Sequence, residues 1–251
     1  MRIEDVRRQL TTPLGAPAFP PGGPYRFTDR EYLNITYRTD PDAMRRLVPE
    51  PLTVTEPLVR FEVMKMPDVT GLGSFMESGQ VLRVEYGGEP ADYLHAMYVN
   101  SLASIASGRE ISAFPKKMGA PAMYVDTDTL VGTLDYGTLR VATATMGYKH
   151  FRMDEAAARE EIGQPTYGLK ILPGYDRKTP RIMELTRSQI TDITIKGAWS
   201  GPARLQLFEH ALAPLADLPV LEVLSATHIL TDLTLGRPAM VFDYLAEAAS
   251  S

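Results

Sequence analysis

Apolar and polar residues alternate along most of this chain, the period-2 signature of strands with one buried face. Arg30 to Arg38 is such a run, with Tyr32, Leu33, Ile35 and Tyr37 as its apolar members, and Leu58 to Met66 is a second. In that second run the alternation places Glu62 on the face of Arg60 and Met64, opposite Phe61 and Val63. Phe75 to Tyr86 and Ala91 to Tyr98 form a pair of strands joined at Gly87-Gly88, a hairpin signal. Met123 to Leu134 and Leu139 to Tyr148 form another pair around Asp135-Tyr136-Gly137-Thr138. The pattern continues through Tyr167 to Leu172, Arg181 to Thr186, Gln189 to Gly197, Ala203 to Phe208 and Leu221 to Leu235, the last long enough to hold a bend. Val241 to Ala249 fits a strand or a helix.

Helical signals are few and short. Residues 3–10 read as a short amphipathic helix. Asp40 is placed as an N-cap with Pro41 behind it, which opens a helix from Asp42 to Val48 that Pro49 and Pro51 end. Leu102 to Ile111 follows Ser101 as cap, and Gly108 weakens that helix by about 1 kcal/mol relative to alanine. Asp154 to Ile162 carries acids in its first turn and is stopped by Gly163 and Pro165. Between residue 12 and residue 24, prolines at 13, 17, 20, 21 and 24 exclude a helix and predict an extended strap. Leu14 and Phe19 within it are expected to lay it on the body. No fixed-period repeat, low-complexity block or later linker interrupts the chain. The expectation is one domain over residues 1–251, with residues 1–24 as N-terminal helix and Pro-rich strap. Its class is mainly β (α+β), an antiparallel sheet curled into a barrel or sandwich with short helices outside.

Composition narrows the function. The net charge of -5 gives no basic excess to neutralise phosphates, which argues against nucleic acid as a partner. Cysteine is absent, so no disulfide framework and no thiolate chemistry is available. The charged N-terminus lacks an apolar signal core, and no run reaches the ~20 apolar residues of a membrane helix. No membrane association and a cytoplasmic location are therefore expected. The histidines, at 95, 150, 210 and 228, show no metal-binding spacing, and no Gly-x-Ser-x-Gly elbow or phosphate loop occurs.

Lysine chemistry remains. Lys116 and Lys117 stand together inside an apolar stretch of Phe114, Pro115, Met118, Ala120, Pro121, Ala122 and Met123. A neutral lysine amine attacks a ketone to give an imine, which then serves as an electron sink for breaking the adjacent C–C bond. At pH 7 only about one free lysine in 2,500 is neutral, and burial raises that fraction. If the pair is extended, its side chains point to opposite faces. Lys116 is then expected inside, dry and neutral, with Lys117 outside, charged and paired with a carboxylate.

Several longer motifs carry a family resemblance. They are Arg30-Glu31-Tyr32, Glu56-Pro57-Leu58-Val59-Arg60-Phe61-Glu62, Glu77-Ser78-Gly79-Gln80, Gly108-Arg109-Glu110 and Phe114-Pro115-Lys116-Lys117. Further on come the runs from Asp128 to Gly137 and from Thr143 to His150, and Gly201-Pro202-x-Arg204-Leu205-Gln206-Leu207-Phe208. From about Thr12 to Tyr244 the chain resembles the acetoacetate decarboxylases. The resemblance implies a cone-like antiparallel β-barrel wrapped by further strands and helices. It implies decarboxylation of acetoacetate to acetone and CO₂ through a Schiff base on Lys116. Arg30, Glu62 and Glu77 map onto polar residues lining the family's site. In the mechanism, Arg30 is expected to receive the substrate carboxylate, Glu77 to orient Arg30 and relay protons, and Glu62 to carry protons or to accept a hydrogen bond from behind the site. Met97 and Phe27 are expected in the apolar lining. No metal or organic cofactor is implied, and large homo-oligomers, commonly dodecamers, are. In this family the activation of the lysine is a standard example of a neighbouring cation at work; the opposed directions of Lys116 and Lys117 make burial the stronger expected influence here. Two other readings stay open: a Schiff-base aldolase or dehydratase for another oxo acid, and a non-catalytic barrel that binds a keto acid.

Overall fold

The computed structural model describes residues 1–20 and 22–248. A one-turn helix α1 (Ile3–Val6) and the strap precede β1 (Tyr25–Arg38). Then follow α2 (Pro41–Arg45), β2 (Leu58–Val69), β3 (Gly73–Tyr86), β4 (Glu89–Val99), α3 (Leu102–Glu110) and β5 (Lys116–Met118). The next strands are β6 (Ala120–Asp126), β7 (Thr129–Tyr136), β8 (Leu139–Gly147) and β9 (Phe151–Arg152). After α4 (Glu155–Ile162) come β10 (Thr166–Pro173), β11 (Pro180–Ser188), β12 (Ile190–Ser200), β13 (Ala203–Leu207), β14 (Glu222–Leu235), β15 (Ala239–Asp243) and α5 (Tyr244–Ala248).

The fold is mainly β. One large sheet runs β15-β11-β10-β4-β3-β2-β1-β14-β12-β9, with β5 on the part of the β4 edge that β10 leaves free. A second sheet runs β13-β8-β7-β6. Pairs are antiparallel except β4 with β10 and β4 with β5. The large sheet is wrapped but its strand path stays open between β15 and β9. Its central strands are buried on both faces. Leu33, Ile35, Tyr37, Phe61 and Val63 join the core shared with Leu130, Leu134 and Ala144 of the small sheet. The other face carries Tyr32, Met64, Phe75 and Ile229, packed with Ala158 and Ile162 of α4. This two-sided burial is why the alternation in β3 is blurred in the sequence.

Local signals account for most element ends. Asp40 Oδ1 accepts from the Ala43 N–H at 2.7 Å, and Asp154 Oδ2 accepts from Ala156 and Ala157 at 3.0 and 3.1 Å. Gly87 and Gly88, with φ of 62° and 85°, form the two-residue turn between β3 and β4 that requires left-handed backbone. Four expectations are corrected. The run Met123 to Leu134 is two strands, β6 and β7, because Thr127 turns at φ 53° and Asp128 binds the Thr129 hydroxyl at 3.0 Å. Val241 to Ala249 is neither a strand nor a helix throughout: β15 ends at Asp243, whose carboxylate caps the N–H of Leu245 at 2.9 Å and starts α5, while Ala249 lies outside the described residues. Helices α1 and α2 stop at Val6 and Arg45, short of the predicted ends. In the strap, Phe19 is 4% exposed and anchors to the body, whereas Leu14 is 42% exposed; Pro21 lies outside the described residues. Among the described residues no helix is long and apolar enough to cross a membrane.

Candidate active site

Strand register assembles the site as rows across one face of the large sheet. Residues directly opposite each other share a face. Asn34 pairs with Glu62, Glu62 with Gly79, Gly79 with Met97, and Met97 with Lys116. The adjacent row holds Tyr32, Met64, Glu77 and Val99. Period 2 along β2 then adds Arg60 and Met66 to the same side. These rows floor a cavity of about 100 Å³, closed above by α3 and by Phe114.

The lid follows from topology. β4 and β5 are parallel, so the chain must cross over between them, and α3 is that crossover. The crossover lays the helix over the face toward which Lys116 points. The α3 face that meets the cavity is small and polar: Ser104, Ser107 and Gly108 are all buried. After α3 the chain doubles back through Ala113, at φ 62°, and the Phe114 N–H returns to the Gly108 carbonyl at 3.0 Å. Lys116 therefore enters the cavity beneath the last turn of α3.

Lys116 is 7% exposed. Its Nζ donates to Ser104 Oγ at 2.9 Å and lies 2.8 Å from Glu77 Oε2, an ionic contact not aligned as a hydrogen bond. The rings of Phe75 and Phe114 lie 5.6 and 5.5 Å from it. Its aliphatic stem runs against Gly108, where an added Cβ would sit 2.7 Å from Lys116 Cδ and 2.9 Å from Cε. Gly108→Ala is expected to push the stem aside and lower kcat about 100-fold, the loss typical of a 1 Å misplacement. Its Tm should change little, since the ~1 kcal/mol that alanine adds to the helix opposes the cost of crowding the stem. A Gly108→Ala enzyme with wild-type kcat would show that the stem has room to spare.

Arg30 reaches the cavity by a different device. Tyr25 and Phe27 face the cavity, and strict alternation would send Arg30 to the opposite side. A bulge in β1 between Phe27 and Arg30 restores it. The guanidinium lies 5.0 Å from the Phe27 ring centre and 4.5 Å from that of Tyr32, and Nη2 donates to Met64 Sδ at 2.7 Å. Nε is buried without a hydrogen-bond partner, and among the described residues Arg30 makes no ion pair. It is a cation held by aromatic rings and a thioether, available to an incoming anion. Burial pushes the neighbouring Tyr32 phenol up to about 12 and keeps it neutral.

Glu62 belongs to a buried ionic chain. Arg60 Nε donates to Glu62 Oε1 at 2.6 Å, and Arg60 Nη2 to Asp92 Oδ2 at 2.8 Å. Burial raises the Glu62 carboxyl above its ordinary range, and the Arg60 charge only partly offsets this.

Residues 10–245 match the model of the acetoacetate decarboxylase (ADC) family. The chain belongs to the acetoacetate decarboxylase family. An acetoacetate decarboxylase of Streptomyces nogalater is 70% identical over 98% of this chain and 100% of its own length. One from Clostridium beijerinckii is 64% identical over 98% of this chain and 99% of its own. A solved acetoacetate decarboxylase structure superposes with a TM-score of 0.95 at 57% identity, covering 98% of this chain and 100% of its own.

Against the family resemblance, Lys116, Glu77, Arg30, Glu62, Met97 and Phe27 all line one cavity. Two partnerships differ from expectation. Glu77 contacts Lys116 rather than orienting Arg30, because the row that carries Glu77 lies next to that of Lys116. Consequently Lys116 is not a lone dry amine: it has an anion and a hydroxyl as partners. Lys117 does point the other way, but among the described residues it meets no carboxylate; its ammonium donates to the Leu212 carbonyl and lies 5.0 Å from the Tyr136 ring. Ser104, Gly108 and Arg60 were missed as site residues. The signal for the first two was available: Ser101, Ser104, Ser107 and Gly108 make a stripe of small residues at helical spacing, and such a stripe faces something close.

Proposed function

We propose that this protein decarboxylates acetoacetate to acetone and CO₂ through a Schiff base on Lys116. The observation that carries the reading is a buried lysine in contact with a buried carboxylate, in a cavity that also holds the unpaired cation of Arg30. The family relationship supports the same substrate.

The substrate carboxylate is received by Arg30 as a charge-assisted partner. Glu77 takes a proton from the Lys116 ammonium, which frees the amine to attack the C3 ketone. The carbinolamine loses water, assisted by the proton now on Glu77, and leaves an iminium. The C–C bond then breaks, its electron pair moves to the imine nitrogen, and CO₂ departs. The enamine is protonated on carbon, and water hydrolyses the resulting imine to release acetone and the lysine. Negative charge leaves the carboxylate and positive charge leaves the imine in the same step. An apolar lining from Phe27, Phe75, Met97 and Phe114 favours that loss of charge. Ser104 holds the amine in line from α3. Glu62, tied to Arg60, serves as a proton carrier at the far wall.

A homo-oligomer, up to the dodecamer that the resemblance implies, is part of this reading. Exposed Ile171, Leu172, Leu212, Leu221 and Leu224 support it by offering apolar surface. The catalytic claim is tested by adding borohydride in the presence of acetoacetate and mapping the product by mass spectrometry. The expected result is a reduced isopropyl adduct on Lys116 together with CO₂ release in its absence. A keto-acid-binding barrel would give neither, and an aldolase or dehydratase would give an adduct without CO₂.

A further inference from the structure

We propose that Lys196, Asp232 and Asp29 form an ionic clamp that positions Arg30 and thereby sets how tightly the cavity holds a carboxylate. The proposal rests on the reading of Arg30 as the carboxylate-binding group. All three residues lie outside the cavity, on the edge where β1, β14 and β12 run side by side.

On β14, Leu233 pairs with Phe27 and Thr231 with Arg30, so Asp232 alone opposes both Thr28 and Asp29. Asp29 is the extra residue, and it takes a φ of 55°, a left-handed conformation that a non-glycine residue keeps only when its surroundings hold it. The other neighbour of β14 is bulged close by. On β12, Thr194 pairs with Asp232, Ile195 with Thr231 and Gly197 with Leu230, which leaves Lys196 extra between the Thr231 and Leu230 levels. The two bulges therefore flank β14 on opposite sides, one at Asp232 and one a residue or two further along.

One carboxylate ties them together. Asp232 Oδ1 accepts the Asp29 backbone N–H at 2.8 Å and lies 2.7 Å from Lys196 Nζ. The same ammonium lies 2.6 Å from Asp29 Oδ1. Arg26 stands further off, with Nη2 3.9 Å from Asp232 Oδ2. Release of the bulge would return β1 to strict alternation. That movement would turn Asp29 toward the cavity and Arg30 away from it, putting an anion where the carboxylate-binding cation now stands. The clamp acts through Arg30 and touches no reacting atom, so its members are positioning residues.

The test is a set of acetoacetate kinetics with a double-mutant cycle. Lys196→Met and Asp232→Ala are expected to raise KM about tenfold with kcat changed less than about threefold, while Lys196→Arg restores KM. Arg30→Gln should raise KM at least as much, and adding Lys196→Met to it should have no further effect, because the two act on one interaction. Two variants at the bulge probe its geometry independently of the lysine. Asp29→Gly accepts the backbone angle and should raise KM less than Asp29→Val, whose branched side chain resists it. Multiplicative KM effects in the Lys196→Met, Arg30→Gln double variant would overturn the clamp, as would wild-type KM in Lys196→Met and Asp232→Ala or equal KM in the two Asp29 variants. If Arg30→Gln itself leaves KM and kcat/KM unchanged, the carboxylate-binding reading of Arg30 fails, and the clamp loses its catalytic role with it.

Discussion

Lys116→Ala is expected to reduce CO₂ release from acetoacetate about 10⁴-fold or more and to abolish borohydride trapping. Losses of this size are usual when the covalent nucleophile itself is removed, because the remaining groups act on an intermediate that no longer forms. Alanine has a second effect. It leaves Glu77, almost wholly buried, without the ammonium 2.8 Å away, and a buried charge deprived of its partner is destabilising. Lost activity in Lys116→Ala therefore has to be separated from lost fold. Lys116→Arg does this. Its guanidinium keeps a positive charge beside Glu77, yet it stays protonated and forms no imine. The expected pattern is a Tm closer to wild type in Lys116→Arg than in Lys116→Ala, with both variants inactive. Substantial CO₂ release from a well-folded Lys116→Arg enzyme would place the chemistry on another residue.

Arg60→Met should be the most destabilising single change in the cavity wall. Arg60, Glu62 and Asp92 have side chains 11%, 10% and 3% exposed, and the guanidinium bonds both carboxylates. Removing the shared partner of a buried ionic group costs about 3–5 kcal/mol. For a chain of this size that corresponds to a Tm lower by roughly 10 °C. Asp92 keeps Arg83 as a more distant partner at 3.5 Å, whereas among the described residues Glu62 keeps no other ion pair and only the more distant charge of Arg30, so the loss should be felt chiefly at Glu62. The pH dependence has a definite sign. Burial raises the Glu62 carboxyl above its unfolded value even with Arg60 present. A carboxyl raised by folding binds protons more readily in the folded state, so its effect on stability is least harmful in acid. The penalty grows as pH rises from the unfolded range near ~4.3 through the folded pKa. Loss of Arg60 removes the main influence holding that pKa down and extends the decline to higher pH. Thermal melts should accordingly show a larger Tm deficit for Arg60→Met at pH 8 than at pH 5. A deficit of a degree or two, or one that does not change with pH, would mean that the ionic chain contributes little.

The local pattern was enough to determine several things about this protein. Alternation in Arg30 to Arg38 and Leu58 to Met66 located β1 and β2, and it assigned Glu62 to the face of Arg60 and Met64. Those features depend only on residue spacing and the two-residue repeat of a strand. The opposed directions of Lys116 and Lys117 follow from the same repeat. The long motifs around Glu77 and Phe114-Pro115-Lys116-Lys117 identified the family, since order and spacing survive in the sequence whatever the fold does with them.

Partnership was decided only in three dimensions. Which residue Glu77 meets depends on the register between β3, β4 and β5, and no single strand contains that information. The aim of Arg30 depends on a bulge in contact with Asp232 and Lys196, which lie 203 and 167 residues from Asp29 in the chain, so simple alternation from Phe27 would have sent it out of the cavity. Gly108 looked like a weak point in a helix; it is the position where the absence of a Cβ admits the stem of Lys116. Lys116 itself was legible from the sequence as the candidate reactive amine, and the fold buries it in the cavity. The buried carboxylate beside it became visible only when the β4-α3-β5 crossover set β5 against β4, one strand away from Glu77 on β3, because a contact between distant segments is set by topology and not by the order of residues.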